Sequence, residues 1–203
     1  LMKKLLLTAI VILSSLTSNA THVLGGEISW RCLANGQYIF SMALYRDCTG
    51  LPWTFVNETI DIQGVPLPRD ASGSVVSSIT IRPDVTRLQN SNNGDTSPSC
   101  IPYENDPLSC ANQDLGTVQA YYYNSSPITL SGTPPGAGWK FFWESPCCRP
   151  NGVANVNTYG EMLLRAIMYP GPNGLPADPC FDSSPLFKSL PTTLICRGYE
   201  FTF

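Results

Sequence analysis

From Glu27 onward the chain alternates between apolar and polar positions. In GEISWRC, Ile28, Trp30 and Cys32 fall on one face and Glu27, Ser29 and Arg31 on the other. YIFSMALYRDC repeats the pattern with Tyr38, Phe40, Met42 and Leu44. A period of two sends successive side chains to opposite faces of a β-strand. Between the two runs stands Asn35-Gly36, a pair suited to a two-residue type I′ turn, which needs positive φ at both central positions. The pattern predicts a hairpin over Glu27–Asp47 whose Trp/Tyr/Phe/Met face turns toward a core.

Later segments keep the same period less cleanly. FVNETIDI, SGSVVSSITI, GTVQAYYY and WKFFWE read as strands, with Pro66, Pro68 and Pro83 as punctuation. GEMLLRAIMY fits both strand and helix periods, but it is short, runs from Gly160 to PGPNG and has no helix cap, so a strand is expected. QNSNNGDTSPS, Gln89 to Ser99, is a polar loop. About seven short strands without a helical stripe predict an all-β chain, an antiparallel β-sandwich of immunoglobulin-like or adhesin-like type. That domain would occupy 21–170. A Pro/Gly-rich linker would follow over 171–185. Residues 186–203, closing on YEFTF, would be either a C-terminal edge strand or, by preference, the start of a following β domain.

The first twenty residues change the picture by placing the chain in a compartment. Lys3 and Lys4 precede an apolar run from Leu5 to Leu13, and Ser18-Asn19-Ala20 offers a small-x-small cleavage site. This is the layout of a secretory signal peptide. The apolar run is about half of the ~20 residues needed to span a bilayer, so no membrane span is expected in the mature chain. Without Lys3 and Lys4 the 12 basic side chains fall to 10 against 15 acidic ones, a net charge of −5. That balance argues against nucleic acid and against anionic membrane surfaces, whose partners carry basic patches.

Eight cysteines in an exported chain form an even set that an oxidising compartment would pair. No C-x2-C pair occurs and His22 is the sole histidine, which disfavours zinc. Cys147 and Cys148 are adjacent. Neighbouring Cα atoms are about 3.8 Å apart, whereas disulfides want roughly 4.4–6.8 Å, so the two sulfurs are expected to serve different partners. Roughly a hundred pairings of eight cysteines exist. By proximity Cys100 would close on Cys110 and Cys180 on Cys196, leaving Cys32 and Cys48 for Cys147 and Cys148.

Nothing in the chain advertises catalysis. His22 stands beside the cleavage point, and G-x-S-x-G, P-loop and G-x-G-x-x-G motifs are missing. No cofactor is therefore expected. Arg46-Asp47 reads as a local ion pair or turn anchor, and Asn92–Asp95 as a plain turn more than a calcium loop. Trp53 and Tyr121–Tyr123 could face sugar rings. A two-residue period sends Tyr121 and Tyr123 inward together, which leaves Trp53 and Tyr122 as the expected ligand-contact pair.

THVLGGEISWRC and LYRDCTG also carry a resemblance. With Trp139, Phe141, Cys147, Cys148, Arg149 and Asn151, and with the SP-x-F and C-x-G-x-x-F-x-F patterns between Ser184 and Phe203, the chain is similar to the amino-terminal region of very large secreted surface proteins of Bacteroidota. These are the gliding-motility-associated and PKD-domain-containing group. One departure is Pro150, which makes the motif CCRPN. The resemblance implies an adhesion-like, non-catalytic surface module carried outside by the type IX secretion machinery. It would contact an extracellular glycan or protein surface. A carbohydrate-binding module of a glycan-binding or glycan-degrading system is the alternative.

Overall fold

The structure, a computed structural model, describes residues 23–97, 108–114, 116–145, 161–176, 180 and 183–187. The signal segment, His22, Cys100, Cys147, Cys148, Cys196 and the YEFTF run lie outside the described residues. Among the described residues seven strands form: β1 (Val23–Cys32), β2 (Tyr38–Asp47), β3 (Glu58–Gln63), β4 (Ser78–Pro83), β5 (Val118–Ser125), β6 (Trp139–Ser145) and β7 (Met162–Met168). A short helix, α1 (Val85–Asn90), follows β4. All neighbouring strands are antiparallel, in the order β1-β2-β5-β4-β3-β6-β7.

Hydrogen bonding runs through one sheet, which folds over so that its two halves meet. Phe40 on β2 packs against Phe141 on β6 with ring centroids 4.7 Å apart, and Trp30 on β1 reaches the same Phe141 at 5.8 Å. The two end strands also approach each other. A side chain at Gly26 on β1 would collide with the Ala43 carbonyl and stand 2.7 Å from Leu164 Cδ1 on β7. Between the halves lie Tyr38, Phe40, Met42, Leu44, Ile60 and Trp139, all essentially without solvent contact. These are the inward positions of the two-residue period, and burying one such side chain contributes about 1.5–3 kcal/mol.

The first hairpin forms where expected but on a different turn. The Gly36 N–H donates to the Leu33 carbonyl at 2.9 Å and the Leu33 N–H to the Gln37 carbonyl at 2.8 Å. In that loop only Gly36 has positive φ, +84°. The connection is thus the three-residue kind, a turn closed by one left-handed residue. It asks for glycine at a single position, so Asn35 is not forced into the left-handed region.

Helix α1 is not predicted by the two-residue period, and its last two residues fall in the stretch expected as a polar loop from Gln89 to Ser99. Pro83 ends β4 and the Asp84 carboxylate accepts from the Arg87 N–H at 3.0 Å, an N-cap that starts the turn. From Asp84 to Ser97 the chain then runs along β5, anchored by Asp84 N–H to the Tyr122 carbonyl and Thr96 N–H to the Val118 carbonyl, both 2.8 Å. It makes the outer face of β2 and β5 a second, smaller core of Ala43, Tyr45, Val118, Ala120 and Tyr122.

The disulfides differ from the proximity expectation. Cys32 pairs with Cys180, and Cys48 with Cys110. Cys110 therefore does not close on Cys100, Cys180 does not close on Cys196, and neither Cys32 nor Cys48 reaches Cys147 or Cys148. Closeness in sequence is a weak guide because the folded sheet brings distant segments together at its edges. Two such bonds suit a non-reducing environment. Among the described residues no helix is long and apolar enough to cross a membrane.

Candidate functional site

The register sets out the outer face of the sheet in rows. Glu27, Ala43 and Tyr122 stand side by side on β1, β2 and β5. The next row is Ser29, Ser41, Asn124 and, on β4, Arg82. Beyond it Arg31 lies opposite Ile39. Rows on one face repeat about every 7 Å along the strands.

Over these rows lies a groove of about 230 Å³. Its floor includes Ser29, Ser41 and Ala43, and Tyr122 with Arg87 forms one wall. The Arg87 guanidinium sits 3.6 Å from the centre of the Tyr122 ring, a cation–π contact of about 0.5–1 kcal/mol at an exposed site. The opposite wall is Leu186 and Phe187, 67% and 80% exposed.

That second wall is tied to the sheet. The Trp30 N–H donates to Ser184 Oγ at 2.8 Å, the Ser184 N–H to the Trp30 carbonyl at 3.0 Å, and the Cys32 N–H to Ser183 Oγ at 3.0 Å. The Cys32–Cys180 disulfide fixes the same segment three residues upstream of Ser183. Cys180, Ser183 and Ser184 belong to the stretch read as a linker over 171–185, and all three are held against β1. They also occupy the free edge of β1, a common protection of an exposed strand edge.

The charges at the groove divide unequally. Glu27 Oε1 accepts from the Tyr45 hydroxyl at 3.2 Å. Burial, reinforced by the nearby Glu27 carboxylate, pushes the Tyr45 hydroxyl well above the ordinary tyrosine range. Asp84 is occupied by the α1 cap and by Asn124 Nδ2 at 2.9 Å. The Arg31 and Arg82 side chains are exposed and make no hydrogen bond or ion pair with another described residue.

The expected ligand-contact pair is not exposed as read. Tyr122 is 6% exposed, because α1 and Arg87 cover a face that the two-residue period assigns to solvent. Trp53 is half-buried; its indole N–H donates to the Tyr123 hydroxyl at 2.9 Å and its ring meets Trp143 edge-on at 5.9 Å. The two aromatics serve different places. Of the residues that do border the groove, Phe187 falls in the SP-x-F pattern, while Arg87 and Leu186 carry no sequence signal.

The other candidates resolve into local anchors. Asp47 Oδ1 accepts from Thr49 N–H and Oγ1 at 2.9 and 2.8 Å, and Arg46 donates to the Gly50 carbonyl and, at 2.6 Å, to Gln119 Oε1. These two residues anchor the turn after β2. In Asn92–Asp95 the Asp95 carboxylate accepts from Ser97 and, at 2.8 Å, from the Cys110 N–H, so it knits two loops. A second hollow of about 450 Å³ is bordered by Glu58, Asp61, Glu144 and Glu161. Glu58 there receives the Trp143 indole N–H at 3.0 Å. Among the described residues no group of three or more His, Cys, Asp or Glu is placed to hold a metal. Compared with protein-family models, curated proteins and solved structures, the chain matches none.

Proposed function

We propose that the chain is a non-catalytic contact module working outside the cell, the head of a larger secreted surface protein, with adhesion as its task. One observation carries this reading. The disulfide and serine contacts on β1 hold two large apolar side chains, Leu186 and Phe187, out in solvent beside a groove. Large apolar side chains held next to each other in solvent mark a contact surface more than scattered single ones do. A staple at that place supports a surface built to touch. A carbohydrate-binding role is the second reading, supported by a groove that combines hydroxyls with aromatic walls.

The test is adhesion of the purified secreted protein, coated on beads, to producing cells and to extracellular polymer from the same culture. Leu186→Ser with Phe187→Ser should abolish retention while the circular dichroism spectrum stays unchanged. Undiminished retention, or a hydrolytic activity lost on changing one carboxylate, would sink the proposal.

A further inference from the structure

We infer that the outer-face groove takes a carboxylated polysaccharide, a polymer of uronic-acid type, held by Arg31 and Arg87 in the groove and by Arg82 beyond it, at the far end of the Ser29–Ser41–Asn124 row. The inference rests on the groove being the contact surface proposed above and adds the chemistry of what lies in it.

Three guanidiniums frame this face while the chain as a whole is acidic. The register places Arg82 at the end of the serine row and Arg31 one row further along β1. Arg87 stands over Tyr122, one row back. The carboxylates that face the same region are Glu27 and Asp84, and each already accepts a hydrogen bond from the protein. Among the described residues the local balance is three positive against two negative groups. A guanidinium presents a planar fork of donors that matches a carboxylate in two parallel hydrogen bonds.

The spacing points to a polymer with separated charges. The arginines sit in different rows and on different elements, with hydroxyl and amide side chains between them. A densely charged chain would leave most of its anions without a partner here, whereas a uronate carries one carboxylate per ring with hydroxyls between. Phe187 offers an open aromatic face for the apolar side of a sugar ring. An acidic peptide fits less well. Extended peptides gain affinity by adding to a strand edge, and at Trp30 and Cys32 the β1 edge is already taken by Ser183 and Ser184.

Binding of the full secreted chain to polygalacturonate, dextran sulfate, neutral dextran and poly-L-glutamate decides the matter, measured by titration calorimetry at two salt concentrations. Polygalacturonate should bind most tightly and weaken as salt rises, since exposed charges are screened. Arg31→Gln and Arg87→Gln should each weaken it several-fold, and together about tenfold or more. Phe187→Ala should weaken it by a few-fold. The Arg31 side chain is exposed and makes no hydrogen bond or ion pair with another described residue, so its variant keeps the fold. Neutral dextran binding as well as polygalacturonate, tighter binding of dextran sulfate or poly-L-glutamate, or arginine variants that bind like the parent would each overturn the inference. If these fail while bead adhesion still depends on Leu186 and Phe187, the contact role stands and only the ligand chemistry falls.

Discussion

Cys32 at the end of β1 is bonded to Cys180, 148 residues further along the chain. The bond ties a point near the start of the sheet to the segment that covers the same strand's edge. Cross-linking so distant a pair restricts the unfolded chain strongly, and about 3–5 kcal/mol of stability is expected from it. Cys32→Ser with Cys180→Ser should lower the urea midpoint accordingly. It should also raise proteolysis at 183–187, since Ser183 and Ser184 then hold the edge by hydrogen bonds alone. A midpoint within error of the parent would contradict this account.

The core depends on contacts between strands that are far apart in the sheet order. Phe141 touches both Trp30 and Phe40, so Phe141→Ala should cost about 3–5 kcal/mol by opening a cavity where both sheet halves meet. Leu163 on the neighbouring β7 is 51% exposed, and Leu163→Ala should change stability by no more than ~0.5 kcal/mol. Equal losses for the two variants, in calorimetry or urea unfolding, would show that the sheet does not close in this way.

These variants also mark what was readable beforehand. Strand positions and inward residues were legible because a two-residue period is a local property, and Trp30, Phe40 and Phe141 are placed by it. Whether the outer face meets water is not local. Tyr122 alternates correctly with Tyr121 and Tyr123, yet it is buried because a segment some thirty residues earlier lies across it. Cysteine partners fail for the same reason: Cys32 and Cys180 meet through the folded sheet, and no spacing announces it. The groove needs three separate elements to exist, so apart from Phe187 in the SP-x-F pattern its residues appear in the sequence as unrelated surface positions.

The covering segment can be tested at Gly94. Its φ is +76°, and a methyl group there would collide with the Ala120 carbonyl oxygen and lie 2.8 Å from Leu88 Cδ1. Gly94→Ala should cost clearly more than the ~1–2 kcal/mol of a left-handed alanine alone. Gly36→Ala supplies the comparison, with φ +84° and nothing within 4 Å of the added methyl. Thermal unfolding of both should rank Gly94→Ala well below Gly36→Ala. The reverse ranking would mean that Asp84–Ser97 does not pack closely on β5.

Alkaline pH should weaken the fold through its buried tyrosines. Burial raises both Tyr45 and Tyr123 above the ordinary value of 10.0. The folded protein therefore holds its phenol protons where the unfolded chain has begun to release them. Both states are protonated below about pH 10 and no stability is lost there. Above it the unfolded state binds fewer protons, so stability falls steadily as pH rises toward the folded-state values. Tyr45→Phe should flatten that fall, because it removes one titrating group buried in the smaller outer core. A stability that stays level from pH 9 to pH 11, followed together with tyrosinate absorbance, would contradict the placement of these hydroxyls.

Trp53 separates a scaffold role from a binding role. Its indole N–H meets the Tyr123 hydroxyl and its ring abuts Trp143, while Phe55 next along packs on Tyr121 and Tyr123 at 5.4 and 5.2 Å. The stretch between β2 and β3 thus places two aromatic side chains against the inward face of β5, away from the groove on the outward face. Trp53→Phe keeps an apolar ring but leaves the Tyr123 hydroxyl without its donor, which should cost about 1–3 kcal/mol. Trp53→Ala also loses the ring contacts and should cost more. Neither change alters Arg31, Arg87 or Phe187, so polygalacturonate affinity, measured well below the lowered melting temperature, should stay within about twofold of the parent. Binding lost on Trp53→Ala in a variant that is still folded would move the ligand to the Trp53 side of the sheet. That result would also restore the exposed-aromatic reading that the hydrogen bond to Tyr123 argues against.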